Sequence, residues 1–319
     1  MLEVVPGVWL AEGGPGWGWS NAVLVAGLGA SDHLLFDCQF TAEAGQALAD
    51  RARQIAPGGA IGRIVYSHAN PDHTWGSVAW PDAEVIASVA TAAEMPAETQ
   101  APVLRRILAE PDPPAGSGAA YLQRHFGAFD FEGVPGPRIP TRVYKDRLDL
   151  DAGGLEVQLL CVGPAHTAGD TVAYIPSQET VLAGDILFID DHAVSWGAPL
   201  TGWVGALDTL LGLDAQCFIP GHGPVVGRRH VAGFRAYLQI VVEYGQRHAS
   251  SGTPLLDAAK AFNARRRYGW GLPERVVTLL AAVYREAGVA GESEAQLGLV
   301  SLIARHEEDL DDGQSPHRR

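Results

Sequence analysis

Residues 61–75 read IGRIVYSHANPDHTW, a short apolar run followed at once by polar residues. The run from Ile61 to Tyr66 predicts a buried β-strand. Directly after it come His68, Asp72 and His73, whose imidazole and carboxylate groups are good ligands for zinc and related metals. A strand that delivers these side chains from its carboxyl end indicates a metal site.

Three later segments repeat this arrangement, and each places one candidate ligand after a short apolar run. Strands that end at the same edge of a fold can bring such side chains to one point, which is what a metal site requires. The later ligands and the runs before them are His166 after residues 157–162, Asp185 after 180–182 and His222 after 217–219.

The motif His68-x-Asn70-x-Asp72-His73, together with the three later ligands, resembles the signature of the metallo-β-lactamase superfamily. The resemblance covers roughly the first 225 residues and departs from the family at Asn70, where the second motif histidine normally stands. It implies a first metal position between His68, Asn70 and His166, and a bridging role for Asp185. The full set of implied metal ligands is His68, Asp72, His73, His166, Asp185 and His222.

The exchange of a histidine for Asn70 weakens the first metal position, because an amide oxygen is a poorer zinc donor than an imidazole nitrogen. The second position, at Asp72, His73 and His222, keeps all its ligands. We therefore expect one tightly bound Zn²⁺ and a second ion that is weakly bound or absent. The same donors also suit Fe or Mn.

The order of strands and helices predicts an αββα sandwich with a C-terminal helical extension, because two half-repeats of strands followed by helices imply two packed sheets covered by helices. Residues 1–250 form the metallo-β-lactamase-like domain, residues 251–309 the helical extension and residues 310–319 a disordered tail. The Pro- and Gly-rich segment 96–140 is too long for an ordinary connection. It is either an active-site cover or a passive surface insertion.

Composition restricts the partners. The chain has 319 residues and a formal net charge of −14, which disfavours binding to nucleic acid. It shows no signal peptide and no long apolar run, so we expect a cytoplasmic protein without a membrane partner.

The apolar face of the helix expected at 273–287 packs either on the parent domain or on a second subunit, as in a homodimer. Cys38, Cys161 and Cys217 lie in apolar runs and are interpreted as buried thiols without disulfides.

Four tryptophans give the only indication of the substrate. Aromatic side chains close to one cleft would suit a bulky or aromatic acyl group on a small-molecule substrate, although ordinary packing is the alternative for each of them. The candidates are Trp17, Trp19, Trp75 and Trp196.

The resemblance implies hydrolysis, in which a metal lowers the pKa of its bound water so that hydroxide attacks a carbonyl. The attacked group would belong to an ester, thioester or lactone, as in a polyketide thioesterase or cyclase. Asp72 would ligate the metal and orient the hydroxide, and His166, or His68, would act as a general base. Asp37 and Asp170 are either partners that orient the ligating histidines or turn-capping residues. The alternatives are a metal-dependent oxidoreductase of the same superfamily and a metal-free binding protein.

Overall fold

Two β-sheets form the centre of the computed structural model, which describes residues 1–27, 32–56, 59–265, 268–289 and 296–314. The first sheet has seven strands in sequence order, antiparallel up to the fourth strand and parallel from there on. Its strands are β1 Leu2–Val5, β2 Val8–Ala11, β3 Ala22–Val25, β4 Asp32–Phe36, β5 Ala60–Val65, β6 Glu84–Ser88 and β7 Arg142–Tyr144.

The second sheet has six strands, and its neighbours are also consecutive in sequence. The pair formed by the fourth and fifth of them is parallel, and the other pairs are antiparallel. The strands are β8 Arg147–Ala152, β9 Leu155–Cys161, β10 Thr171–Ile175, β11 Thr180–Phe188, β12 Cys217–His222 and β13 Val226–Gly227.

Helices cover the outer faces of both sheets. One apolar cluster, which includes Val25, Val65, Leu159 and Leu182, fills the space between the sheets. This is the αββα sandwich that the sequence predicts. The helices are α1 Ala42–Ile55, α2 Pro71–Thr74, α3 Val89–Glu94, α4 Ala101–Leu108, α5 Gly118–Phe126, α6 Leu200–Gly212, α7 Arg228–Ser250, α8 Leu255–Arg265, α9 Val276–Glu286 and α10 Gln296–Gln314.

Local sequence explains where the outer helices begin and which face they bury. α1 starts at Ala42 because the hydroxyl of Thr41 accepts a hydrogen bond from the Ala44 N–H at 3.0 Å, as expected of an N-cap residue. Its buried residue Leu48 belongs to the same apolar cluster as Leu35 of β4 and Ile64 of β5. On the other side of the sandwich, α6 and α7 bury their apolar faces against β10 and β11. All nine residues of β11 are buried, since both faces of this strand are covered.

The parallel strand pairs fix the place of the candidate site. β4 and β5 are parallel, and so are β11 and β12. Parallel neighbours end at the same edge of a sheet, so the polar residues that follow them meet there. The motif His68 to His73 follows β5, and its second half forms the short helix α2.

The segment 96–140 is ordered and carries α4 and α5. Phe131 of this segment packs in one apolar cluster with Phe40 and Trp75, so the insertion is anchored to the motif region.

The C-terminal helices pack on the sandwich within a single chain. All residues of α9 from Val276 to Tyr284 are buried, among them Leu280 and Val283 at 0% and 1% exposure. This apolar face is therefore not available to a second subunit. A homodimer stays a prediction, and its interface would not include this face.

The expected disordered tail at 310–319 differs in part from the structure. α10 continues to Gln314, so the first half of this tail is helical, and residues 315–319 lie outside the described residues.

Within the described part of the chain, no helix is both long enough and apolar enough to cross a membrane. The three cysteines are free thiols, of which Cys38 is buried.

Candidate metal centre

The six predicted ligands lie together at the edge of the sandwich, in two groups of three. In each group the ligand atoms all lie within 4.8 Å of one another. The first group is His68, His166 and Asp185, and the second is Asp72, His73 and His222.

The second group, joined by Asp185, has the donor arrangement of a metal site. Nε2 of His222 lies 3.4 Å from Oδ2 of Asp72 and 3.5 Å from Oδ1 of Asp185. Nε2 of His73 and Oδ1 of Asp185 are 3.1 Å apart, yet both atoms are buried without a hydrogen-bond partner. Buried polar atoms without partners are costly, and a transition metal would satisfy these nitrogen and oxygen donors together. The residues therefore fit the metal that the motif implies.

Neighbouring groups set the orientation of the second-group histidines. Nδ1 of His73 lies 2.8 Å from Oδ2 of Asp37, so the imidazole donates there and turns its Nε2 lone pair toward the centre. Asp37 also accepts hydrogen bonds from the backbone N–H and hydroxyl of Ser67, both at 2.7 Å. Phe188 stacks on His222 with ring centroids 5.0 Å apart. Asp37 thus contacts a ligating histidine, as expected of a residue that orients such an imidazole.

Asn70 completes the first group. Its Oδ1 lies 3.0 Å from Nε2 of His68 and 2.9 Å from Nε2 of His166. His166 donates from Nδ1 to the carbonyl of Val194 at 2.9 Å, which leaves a lone pair on Nε2. The Ser67 hydroxyl donates to Asp37, so Nδ1 of His68 donates to Ser67 and its Nε2 also carries a lone pair. Three electron-pair donors therefore converge, an arrangement that a cation would satisfy, with one weak amide ligand.

The two groups differ in charge. Burial lowers the pKa of His68 and of His166, and these imidazoles are neutral. Burial alone would also lower the pKa of His222, but the carboxylates of Asp185 and Asp72 outweigh it and raise this pKa to about 9. Burial would raise the pKa of Asp72, yet the charges of His73 and His222 lower it to about 2. The second group thus carries the stronger electrostatic coupling.

Asp170 lies in the turn that carries His166, as the turn-capping interpretation of this residue expects. Its carboxylate accepts hydrogen bonds from the backbone N–H groups of Ala165 and Thr167 and from the Thr167 hydroxyl. Burial raises its pKa to about 7 against these hydrogen bonds. Asp170 therefore shapes the turn that carries His166, and among the described residues its hydrogen bonds go to this turn and not to an imidazole.

A cavity of about 360 Å³ opens onto the second group. Its wall includes Asp72, Asp185 and His222. Most of the remaining wall is apolar, and a large part of it comes from α4 and α5, including Val103, Leu104, Ile107, Tyr121, Leu122 and Phe126. The segment 96–140 therefore supplies a large part of the wall of this cavity.

Two of the four tryptophans lie on the cavity wall. Trp17 and Trp196 both line it, with ring centroids 5.9 Å apart. Trp19 is 43% exposed and packs on Phe129 outside the cavity wall. Trp75 is 2% exposed and points away from the cavity into the apolar cluster with Phe40 and Phe131. Of the four candidate tryptophans, Trp17 and Trp196 thus line the cavity, and Trp19 and Trp75 do not.

Two polar residues of the cavity wall were not foreseen, Glu98 and Arg275. Burial, followed by the charge of Glu94, raises the pKa of Glu98 to about 7, and a hydrogen bond from Asn70 opposes this rise. This bond turns the Asn70 amide nitrogen toward Glu98 and its oxygen toward the histidines. A signal for Arg275 was present in the sequence, because it directly precedes the apolar run of residues 276–283 and such a helix is buried from its first turn.

An αββα sandwich with histidine and aspartate groups at its edge defines a metal-binding α/β protein. The chain belongs to the metallo-beta-lactamase superfamily, whose family model matches residues 15–222.

Two curated relatives share about a quarter of their aligned residues with the chain. The alpha subunit of the 2,4-dinitroanisole O-demethylase of a Nocardioides species is 28% identical over 169 residues, which are 52% of this chain and 42% of that protein. The linear primary-alkylsulfatase of a Pseudomonas species is 27% identical over 195 residues, which are 54% of this chain and 36% of that protein. The chain thus spans less than half the length of these relatives.

Solved structures show the same fold. The inverting sec-alkylsulfatase of a Pseudomonas species aligns with a TM-score of 0.65 and 19% identity, over 89% of this chain and 49% of that one. A metallo-beta-lactamase family protein from Thermus thermophilus aligns with a TM-score of 0.61 and 21% identity, over 90% and 96% of the two chains.

Proposed function

We propose that the protein is a metal-dependent hydrolase that cleaves an ester-type bond of a small molecule with a bulky apolar part. One observation carries this proposal: the wall of the apolar cavity includes Asp72 and His222 of the second ligand group, together with Asp185 of the first. A substrate in the cavity would lie against the donors that hold the metal, with its scissile bond at the centre.

A metal at the second group would lower the pKa of a water molecule and so supply a nucleophile at neutral pH. The side chain of Asp72 is 17% exposed, the most accessible of the second group, and it lines the cavity. It can accept a hydrogen bond from the attacking water and orient it toward the substrate. His166 is fully buried and its Nε2 faces Asn70, so we propose that His166 acts through the first group and not on the substrate.

The substrate class follows from the apolar wall. Trp17, Trp196 and Phe188 offer aromatic surfaces to a flat or branched acyl group beside the donors. We propose a carboxylic ester, thioester or lactone, with a polyketide-type aromatic acyl group as one example. The relatives described above are not named as thioesterases, so the acyl group rests on the cavity alone.

A second candidate is a sulfate ester of an apolar alcohol. The observation that favours it is the similarity to the linear primary-alkylsulfatase, at 27% identity over 54% of the chain. The apolar cavity suits an alkyl chain as well as an aromatic acyl group.

The test is a substrate panel with metal control. We expect untagged protein to hydrolyse naphthoyl thioesters faster than acetyl thioesters, or decyl sulfate if the second candidate holds, and to lose this activity on chelation. Asp72→Ala should lower kcat by several powers of ten, since it removes both a ligand and the group that orients water. Asp82→Ala, a change of an exposed aspartate outside the site, is the control.

Two outcomes would favour the alternatives instead. Hydrolysis that persists after complete metal removal would contradict the metal-dependent mechanism. Purified protein that holds no metal and turns over none of these substrates would favour a binding protein, and metal-dependent O₂ consumption would favour an oxidoreductase.

A further inference from the structure

Arg275 is a buried cation that no carboxylate neutralises directly. It is 1% exposed, and its NH1 group donates to the backbone carbonyl of His192 at 3.1 Å. Its Nε is buried without any hydrogen-bond partner. Within the part of the chain that the structure describes, no carboxylate oxygen lies within 4.0 Å of its guanidinium. Burying an unpaired charge is costly, so this position needs an explanation.

The surroundings hold the guanidinium in one orientation at the cavity wall. Its Cζ lies 3.9 Å from the centroid of the Trp17 ring, a cation–π contact that covers one face. Trp17 is itself fixed by a hydrogen bond to the Tyr121 hydroxyl at 2.6 Å, and Tyr121 donates to Glu274 at 2.8 Å. The nearest acidic neighbour in sequence, Glu274, therefore directs a carboxylate oxygen to Tyr121.

A purely structural role does not account for this arrangement. The bond to His192 uses one of the five N–H groups of the guanidinium, and a neutral donor such as Gln could make it. Arg275 also lines the cavity, and it is the only Arg or Lys among the described residues that form the wall. Of the other titratable residues of the wall, Asp72, Glu98 and Asp185 are acidic, and His222 is already paired with the carboxylates of Asp72 and Asp185.

We propose that Arg275 binds an oxyanion on the substrate, a carboxylate or a sulfate, so that the substrate is an anionic amphiphile whose apolar part fills the cavity. A planar guanidinium can donate two parallel hydrogen bonds to such a group, and Trp17 already holds the plane in place. The charges of Asp191, Glu274 and Asp185 act on the guanidinium from a distance, and the anion would supply the direct contact that none of them makes. This inference rests on the proposed function only in calling the ligand a substrate.

The first experiment compares matched esters. Mono-4-nitrophenyl esters of adipic, suberic and sebacic acids carry a free carboxylate, and their methyl-capped counterparts do not. For the chain length that the wild-type protein prefers, Arg275→Gln should lower kcat/KM for the carboxylate ester about 10- to 100-fold, mainly through KM. The capped ester should change less than about threefold.

Arg285→Gln is the matched control. Arg285 lies on α9 and makes the same type of contact, from NH1 to the carbonyl of Gly197 at 3.1 Å, but it does not line the cavity. It should leave the ratio between the two esters unchanged. Near-ultraviolet circular dichroism checks that each variant is folded.

A binding experiment separates this inference from the proposed function. Isothermal titration of metal-loaded protein with decanoate, decyl sulfate and decanol needs no turnover. We expect tighter binding of one or both anions than of decanol, and a loss of this preference in Arg275→Gln. The two anions distinguish a carboxylate site from a sulfate site. An anion that binds only the metal would have the same affinity for the wild-type protein and for Arg275→Gln.

The outcomes are decisive in both directions. If no ester is hydrolysed but an anion binds through Arg275, the proposed function fails and the anion site stands. An unchanged preference for anions over decanol in Arg275→Gln overturns the inference, whatever the hydrolysis shows. If Arg275→Gln does not fold, Arg275→Lys is measured instead, because lysine keeps the positive charge but lacks the planar guanidinium with its two parallel donors. A reduced preference in Arg275→Lys supports the site, and an unchanged one overturns it.

Discussion

Asn70 is the residue at which this chain differs from the motif of its family, and its place in the structure makes it testable. Its amide oxygen lies within 3.0 Å of both first-group imidazoles. Asn70→His should raise the metal content from about one to about two ions per chain, because imidazole is the stronger donor. Elemental analysis after dialysis against metal-free buffer measures this, and Asn70→Leu, which offers no donor, should stay near one.

The two histidines of the motif should respond differently to removal. His68 and His73 are both 0% exposed, but only His73 belongs to the second group. His73→Ala should abolish tight metal binding, whereas His68→Ala should keep about one ion per chain, because the second group retains all its donors. Metal analysis of the two purified variants is the measurement. Loss of all metal from His68→Ala alone would place the tight site in the first group.

Metal affinity should depend on pH in a defined direction. The carboxylates of Asp185 and Asp72 raise the pKa of His222 to about 9, so this imidazole carries a proton at neutral pH before metal binds. Carboxylates also outweigh burial at His73 and raise its pKa well above the usual value, so metal must displace a proton from each imidazole, and apparent affinity should rise more than tenfold per pH unit up to about pH 9. Competition with a chelator of known affinity, at several pH values, measures the slope. A flat profile between pH 7 and 9 would contradict the assigned charge.

At the scale of single residues, the metal ligands were predictable from the sequence, whereas the residues that form the cavity wall were not. Each ligand lies in a strand or in the segment that follows one, so its place depends on local order in the chain. Trp75 lies two residues beyond His73 and nevertheless points into the core, because the turn at Trp75–Ala79 directs it toward Phe40 and Phe131. Arg275 reaches the site from a distant helix, and no motif spacing reports such a contact.

At the scale of elements, the packing of α7 on α9 provides a stability test. A Cβ added to Gly245 of α7 would lie 2.8 Å from Cγ1 of Val283 on α9, so Gly245→Ala should destabilise the protein by about 1–3 kcal/mol. Gly233 lies in the same helix with no atom within 4 Å of an added Cβ. Gly233→Ala should instead stabilise by about 0.5–1 kcal/mol, because alanine favours a helix interior. Urea unfolding of both variants gives the comparison.

Most elements were predictable because each has a local cause. α1 has its N-cap at Thr41, and the apolar run 180–182 predicts the start of β11, which continues through Asp185 to Phe188. The role of the segment 96–140 was not predictable, because whether a helix covers a cavity depends on tertiary contacts. Only the structure shows that α4 and α5 line the cavity at the metal centre.

At the scale of the whole molecule, metal binding should couple to folding. The ligands come from chain positions as far apart as His68 and His222, so the site exists only in the folded state. Saturation with metal at about 100 times its Kd should stabilise the protein by about 2.7 kcal/mol and raise Tm. Thermal unfolding with and without chelator measures the shift. In His73→Ala the shift should disappear.

The cavity wall combines side chains from the first hairpin, from the insertion and from the C-terminal helices, such as Trp17, Leu104, Arg275 and Ile303. The metal ligands, in contrast, lie within strands of the sandwich or in the segments that follow them. Mutations in the surrounding helices can therefore exchange one substrate for another while the reaction at the centre stays the same. The cavity wall and the metal ligands can thus vary independently of each other. A library of variants for new specificities would therefore be built at the residues after 250.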